Sequence, residues 1–378
     1  MYFAAFAVVA LIAWAADRCR GALRVVLLTA STTPLLALAA LRETTVGTDV
    51  MSYALYECDY AAAQSFAEYF PRALTTHGLG FTLVSWMTCH LSGGQLQLLL
   101  FALQALTVAP VIITLARLTR SATWVGMLIY CLVLFPFSLN GMKQAIAAAF
   151  ICAAVIPALR RSPRGFLLLV VLGVVFHQTA IIGLAVYPAL HLMEASNSAR
   201  AFFGRYQMPI LIVAVIAALG IVRVYGAELV SLLAFLKDSY AYQVDHLGQG
   251  DVNLAFGALL LALVVLSAWF RLSREREPLP DIATALVAGA GVNRLPLNLT
   301  VITGMGCLLG QLDTISATLG RLGWYGIVFL PVVAVAHGQY SKKRGFNGAL
   351  LLVCLAFFVT RTMWLGMDQI YPYVFAVN

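Results

Sequence analysis

Residues 1–20 read MYFAAFAVVALIAWAADRCR, and the placement of their charges decides the fold. The apolar run over 2–16 is followed, not preceded, by Arg18 and Arg20. A secretory signal peptide carries its basic residues ahead of its apolar stretch. The reversed order predicts a first spanning helix whose C-terminal end meets the basic side of a membrane. Composition extends that reading to the whole chain. It is 62% hydrophobic and 11% charged over 378 residues, with a mean hydropathy of +0.90. A soluble domain carries about 25% charged residues, so this chain lacks the polar surface to face water all round. Its apolar runs have helix length rather than the roughly 10-residue alternation of an outer-membrane barrel. The expectation is an all-α, polytopic integral membrane protein, with residues 1–378 forming a single membrane domain.

Apolar stretches fall near 2–16, 24–41, 95–116, 122–139, 142–159, 165–176, 178–193, 207–224, 253–271, 281–312, 320–338 and 346–363. They predict about twelve transmembrane or half-membrane helices. The runs on either side of His177 are too short to cross a ~30 Å hydrocarbon core upright, so they predict two half-buried helices meeting at a bend. The run 281–312 contains Asn293, Arg294 and Pro296 and reads as an interfacial helix followed by a span.

The formal charge of +8 is distributed in short clusters between apolar runs, which argues against a nucleic-acid partner. The clusters are Arg18/Arg20/Arg24, Arg117/Arg120, Arg160/Arg161/Arg164, Arg200/Arg205, Arg271/Arg274/Arg276 and Lys342/Lys343/Arg344. Each lies between an inward and an outward run, as the positive-inside rule requires. Both termini are then expected on the outer side, periplasmic or extracellular. That side collects the loop 42–94, the turn Ser138-Leu139-Asn140-Gly141, the bend at His177, the loop 225–252, the stretch 313–321 and the tail 364–378. Eleven of the sixteen acidic residues lie in or beside these segments, with a dense set of tyrosines.

Seven cysteines are scattered without a C-x-x-C or a His/Cys metal spacing, so no metal or cofactor is expected. Cys58 and Cys89 share the first outer loop; a disulfide between them is one possibility that spacing does not decide. Three cations stand at outer ends of spans: Lys143, His177 and Arg321. An ionisable group in a transmembrane segment costs roughly 2.5–3.5 kcal/mol on insertion scales, so it marks function by default. The plainer alternatives are a snorkelling anchor for Lys143, a helix-end flank for Arg321 and a satisfied core imidazole for His177. Residues 45–53, TVGTDVMSY, add Asp49 on the same face. Its carboxylate is either a proton acceptor or the cap of the helix that follows a Gly47-Thr48-Asp49 turn. Cations at headgroup depth suit a lipid diphosphate, and aromatic faces suit sugar rings.

These motifs together resemble the EpsG family, the Wzy-type polymerases of bacterial surface polysaccharides. The residues carrying the resemblance are Val46-Gly47-Thr48-Asp49 with Tyr53, Gly80-Phe81-Thr82-Leu83, Lys143-Gln144 with Ile146-Ala147, and Phe176-His177-Gln178-Thr179-Ala180. Arg321-Leu322-Gly323-Trp324-Tyr325 and Pro372-Tyr373 complete the set. The chain departs from the family pattern in having Lys143 where arginine is usual. It also has His77-Gly78-Leu79 where an acidic residue is usual. The resemblance implies a GT-C-like, metal-independent glycosyltransferase. Its substrate would be an undecaprenyl-diphosphate-linked oligosaccharide in the bilayer, with a chain-length regulator and a flippase of the same pathway as partners. It further implies that Lys143, Arg321 and, more weakly, Arg72 hold the diphosphate, and that Asp49 or His177 is the base. Tyr53, Gln144, Tyr240, Tyr242, Tyr325 and Tyr373 are the expected sugar contacts. An O-antigen ligase or a polysaccharide flippase is the alternative.

Overall fold

A computed structural model describes residues 1–119, 121–191, 254–272, 295–314, 320–340 and 345–376. Apart from one isolated bridge between Arg42 and Phe375, the regular structure among the described residues is helical. In chain order the helices begin with α1 (Tyr2–Ala16), α2 (Gly21–Ala40), α3 (Leu55–Ala63), α4 (Phe66–His77), α5 (Leu79–Ser85) and α6 (Leu96–Leu118). They continue with α7 (Thr123–Asn140), α8 (Met142–Leu159), α9 (Pro163–Phe176) and α10 (Val186–His191). The last four are α11 (Leu254–Leu272), α12 (Leu295–Gly310), α13 (Arg321–His337) and α14 (Phe346–Trp364).

Five of these, α2, α6, α7, α8 and α14, are long and apolar enough to cross a membrane; α1, α9, α11, α12 and α13 contain shorter apolar helices. The expected run 207–224, the first half of 281–312 and the loop 225–252 lie outside the described residues. The expected bend is present: α9 ends at Phe176, His177 is extended (φ −152°, ψ 119°), and a 3₁₀ stretch, Gln178–Ala185, leads into α10.

Hydrogen bonds sort the helix ends into two groups. At one end Arg24 donates to the Ala116 and Thr119 carbonyls at 3.2 and 2.7 Å, and the Trp124 N–H donates to Asp17 at 3.2 Å. At the opposite end of α2, Arg42 donates to the Leu139 carbonyl at 2.6 Å. The basic clusters at Arg18–Arg24, Arg117 and Arg160–Arg164 therefore share one end, and the segment 42–54 belongs to the other.

The stretch 42–94 is helical rather than an open loop. A one-turn π-helix, Val50–Ala54, runs into α3. Ser65 and Glu68 form a capping box that starts α4, with the Ser65 hydroxyl and N–H both donating to the Glu68 carboxylate. Gly78, at φ +82°, reverses the chain into α5. The α4–α5 hairpin thereby brings its tip, His77-Gly78, beside Val175 near the end of α9. A Cys58–Cys89 disulfide ties α3 to the turn after α5, which resolves the possibility the spacing left open.

Helices α12 and α13 cross on glycine. A Cβ at Gly306 would lie 2.6 Å from the Gly323 carbonyl oxygen, and one at Gly326 would lie 2.6 Å from that of Ile302. Small residues at such crossings let backbones approach closely, and this one sets the position of Arg321 and Tyr325.

Candidate functional site

Gly47 begins the site. It has φ +88°, and a Cβ there would stand 2.5 Å from the Leu139 carbonyl oxygen, so the chain can pass the α7–α8 turn only without a side chain. Around it, Thr48 donates its N–H to Asn140 Oδ1 at 3.1 Å and its hydroxyl to the same atom. The tail closes the other side: the Gly47 N–H donates to the Gln369 carbonyl, and the Glu43 N–H to that of Val374, each at 2.9 Å. Arg42 underlies the turn, with Nη2 at 3.2 Å from the Met142 sulfur. Burial lowers its pKa to about 10, and Tyr2, Asp49, Tyr373 and Tyr53 act to keep it charged.

This scaffold delivers Asp49 to the start of α8. Asp49 Oδ2 accepts the Tyr53 hydroxyl at 2.6 Å and the Met142 N–H at 3.2 Å. Towards the π-turn that follows it in sequence the carboxylate makes no capping bond to a backbone N–H, only the bond from the Tyr53 hydroxyl. It caps α8, far along the chain, where a helix N-terminus favours negative charge. Burial raises the Asp49 pKa above the usual carboxylate value. The Tyr53 hydrogen bond, the charges of Arg321 and Lys143, and the Met142 N–H pull it down without reversing the shift.

Lys143, the second residue of α8, places Nζ 4.4 Å from the Tyr53 ring centroid and 5.5 Å from that of Phe81. It also stands 3.3 Å from His77 Nδ1. The other ring nitrogen, Nε2, is 3.1 Å from Glu57 Oε1, which Arg72 approaches at 3.2 Å. Burial raises the Glu57 pKa, but the hydrogen bond from His77, with the charges of Arg72 and Lys143, holds it below the usual value.

Gln144 carries the network to α13, donating to the Arg321 carbonyl at 2.7 Å and hydrogen-bonding the Tyr325 hydroxyl. Tyr325 contacts Thr179 Oγ1 at 3.0 Å, and Thr179 contacts His177 Nδ1 at 2.7 Å. Beneath Tyr325, Trp324 stacks on Phe137 with ring centroids 4.1 Å apart.

Asp49, Tyr53, Lys143, Gln144, His177, Arg321 and Tyr325 are thus joined at one end of the bundle. Arg72 is half exposed, paired with Glu57 and stacked over Tyr60, one step removed from Lys143. Tyr373 stands apart: its hydroxyl donates to the Leu38 carbonyl at 2.8 Å and its ring meets Tyr2 edge-on. Tyr240 and Tyr242 lie outside the described residues. Sequence reading passed over Arg42, Glu57 and Asn140, and it noted His77 only as a departure from a pattern. The signal available for them was their nearness in sequence to the Gly47, Gly80 and Lys143 motifs.

The described residues form a helical bundle with five helices long and apolar enough to cross a membrane, and a network of cations, a carboxylate and tyrosines lies at one end of it, as fits a membrane protein. The model of the EpsG family matches residues 25–375, and the chain belongs to that family. The family is associated with Wzy-type polymerases, so this is a polysaccharide polymerase-type membrane protein. No curated protein and no solved structure matches the chain.

Proposed function

We propose that the protein lengthens a glycan carried on undecaprenyl diphosphate, transferring it to a new lipid-linked repeat unit at the outer face of a bacterial inner membrane. The observation that carries this reading is one contact network that joins the buried Asp49 carboxyl, Tyr53, Lys143 above the Tyr53 ring, and Gln144 bonded to the Arg321 carbonyl.

In the proposed step a sugar hydroxyl of the acceptor attacks the anomeric carbon of the donor glycan. A new C–O bond forms as the bond from that carbon to the diphosphate oxygen breaks, and the electron pair leaves with the diphosphate. Asp49 takes the proton of the attacking hydroxyl. Its raised pKa suits a base working nearer neutrality than an ordinary carboxylate does. Lys143 and Arg321 stabilise the charge gathering on the diphosphate. His177, whose Nδ1 is engaged by Thr179, orients Tyr325 at the sugar side. Tyr53, Gln144 and Tyr325 are the nearest sugar contacts, with Tyr240, Tyr242 and Tyr373 further candidates. The scaffold is read as GT-C-like.

Two features support the outward orientation. The basic helix ends lie opposite the site, and the Cys58–Cys89 disulfide beside it belongs to an oxidising compartment. The test is a gel of surface polysaccharide from a strain lacking the gene, complemented with wild type or with Lys143→Ala, Asp49→Asn or Arg321→Ala. Loss of long polymer with retention of a single surface repeat supports the proposal. Persistence of polymer without the gene, or loss of even the single repeat, contradicts it.

A further inference from the structure

His77 holds a position that none of the motif residues accounts for. It sits at the tip of the α4–α5 hairpin with a side chain only 7% exposed, bridging Glu57 and Lys143. We propose that His77 is a positioning residue. It couples the Glu57 carboxylate to the Lys143 ammonium and holds that ammonium over the Tyr53 ring, where a diphosphate is to be received. The proposal rests on the reading of Lys143 as a diphosphate ligand.

The proton inventory allows one arrangement. An ammonium has donors only, so His77 Nδ1 must accept from Lys143. A carboxylate has acceptors only, so His77 Nε2 must carry the hydrogen that reaches Glu57 Oε1. The carboxylate behind the ring thereby fixes its orientation and tautomer, as a carboxylate does for a metal-bound histidine. The groups facing it are Glu57 from α3, Arg72 from α4, Tyr53 and Phe81 with ring centroids 5.4 and 5.2 Å away, and Lys143 from α8. Each charged neighbour has a complement: Arg72 and His77 on Glu57, and His77 and the Tyr53 ring on Lys143.

The consequence concerns affinity. A lysine is a compact charge on a flexible four-carbon stem, and ordering it costs side-chain entropy. With the stem already held, an incoming diphosphate meets an ammonium that needs no further ordering. The hairpin geometry reinforces this. A Cβ at Gly80 would lie 2.9 Å from the Phe176 ring, so α5 is seated tightly against α9 and the tip cannot drift from Lys143.

The experiment is the binding of farnesyl diphosphate to detergent-purified wild type, His77→Phe, His77→Asn and Lys143→Ala, with the melting temperature of each measured without ligand. Phenylalanine fills the ring volume and makes neither polar contact. Asparagine offers one acceptor and one donor. The expected result is affinity weakened roughly tenfold in Lys143→Ala and His77→Phe, the scale of one charge-assisted hydrogen bond, with His77→Asn close to wild type. Wild-type affinity in His77→Phe alongside weak binding by Lys143→Ala overturns the positioning role and leaves the Lys143 reading intact. Wild-type affinity in Lys143→Ala, or no binding by the wild type, removes the diphosphate reading itself and the proposal with it. If His77→Phe melts early, His77→Asn decides. Asparagine that melts normally yet binds as weakly as phenylalanine overturns the two-contact geometry, and normal binding by both variants at lowered melting temperatures reduces His77 to a structural staple.

Discussion

At Asp49, burial and two neighbouring cations act on one carboxyl in opposite directions, and burial prevails. Asp49→Asn keeps the Met142 contact geometry but cannot take a proton. Its transfer rate should fall by about 10²–10⁴-fold, the usual worth of a general base, while the protein still folds and reaches the membrane. In the wild type the rate should decline as pH drops through the raised Asp49 value, which lies above 3.8, and a pH profile of transfer measures that limb. Glu57 has the opposite sign. Its folded-state value is depressed below 4.5, so its contribution to stability is fully present above the unfolded value and is lost as pH falls through the folded one. Glu57→Gln should therefore melt earlier than wild type at neutral pH, and the gap should close in acid. Melting curves across that range check both the magnitude and the sign. Two of the three positions where the chain departs from the family pattern, Lys143 and the His77 stretch (the third is Thr179, where serine is usual), are in contact at 3.3 Å. Each was visible as a residue, but their pairing was not, because no local pattern links a hairpin tip to the start of a helix 66 residues on.

Among the elements, those built on long apolar runs were legible because period and length alone specify them. The bend at His177 was legible for the same reason, since neither flanking run is long enough to span. The helices of 42–94 were not. Each is too short to be stable alone, and they are held by the capping box at Ser65, the Cys58–Cys89 bond and packing against the bundle. The predictions at this scale concern close approaches. Gly47→Ala forces a Cβ onto the Leu139 carbonyl at a positive φ and should destabilise by about 1–3 kcal/mol, shifting Asp49 and lowering transfer as well. Gly326→Ala pushes α13 away from α12 and should lower activity through Arg321 and Tyr325 even where the membrane level of protein is unchanged. A melting curve and a transfer assay on each variant separate the two effects.

Among the described residues, the basic clusters at Arg18–Arg24, Arg117 and Arg160–Arg164 lie at one end of the bundle. The clusters at Arg200/Arg205, Arg274/Arg276 and Lys342/Lys343/Arg344 lie outside the described residues. Arg24 ties α2 to α6 and α7 at that end, and Arg42 ties α2 to the α7–α8 turn at the other. The site occupies the Arg42 end, together with the disulfide. Replacing both Cys58 and Cys89 with serine should cost about 2–4 kcal/mol by the loop-entropy argument and lower the melting temperature, most visibly against wild type kept oxidised. Seven motif residues scattered from Asp49 to Tyr325 meet in one network at one end of the bundle. Tyr373 of the tail stands apart from that network, its ring and hydroxyl packed against α1 and α2. The most direct test of the central claim is glycan transfer by the purified protein in lipid nanodiscs, supplied with a synthetic undecaprenyl-diphosphate-linked repeat unit. Wild type should produce lipid-linked glycans of two or more repeats and release undecaprenyl diphosphate in equal number to the linkages formed, and Lys143→Ala and Asp49→Asn should do neither. Lengthening by wild type without release of the lipid diphosphate, or equal lengthening by both variants, would contradict the account.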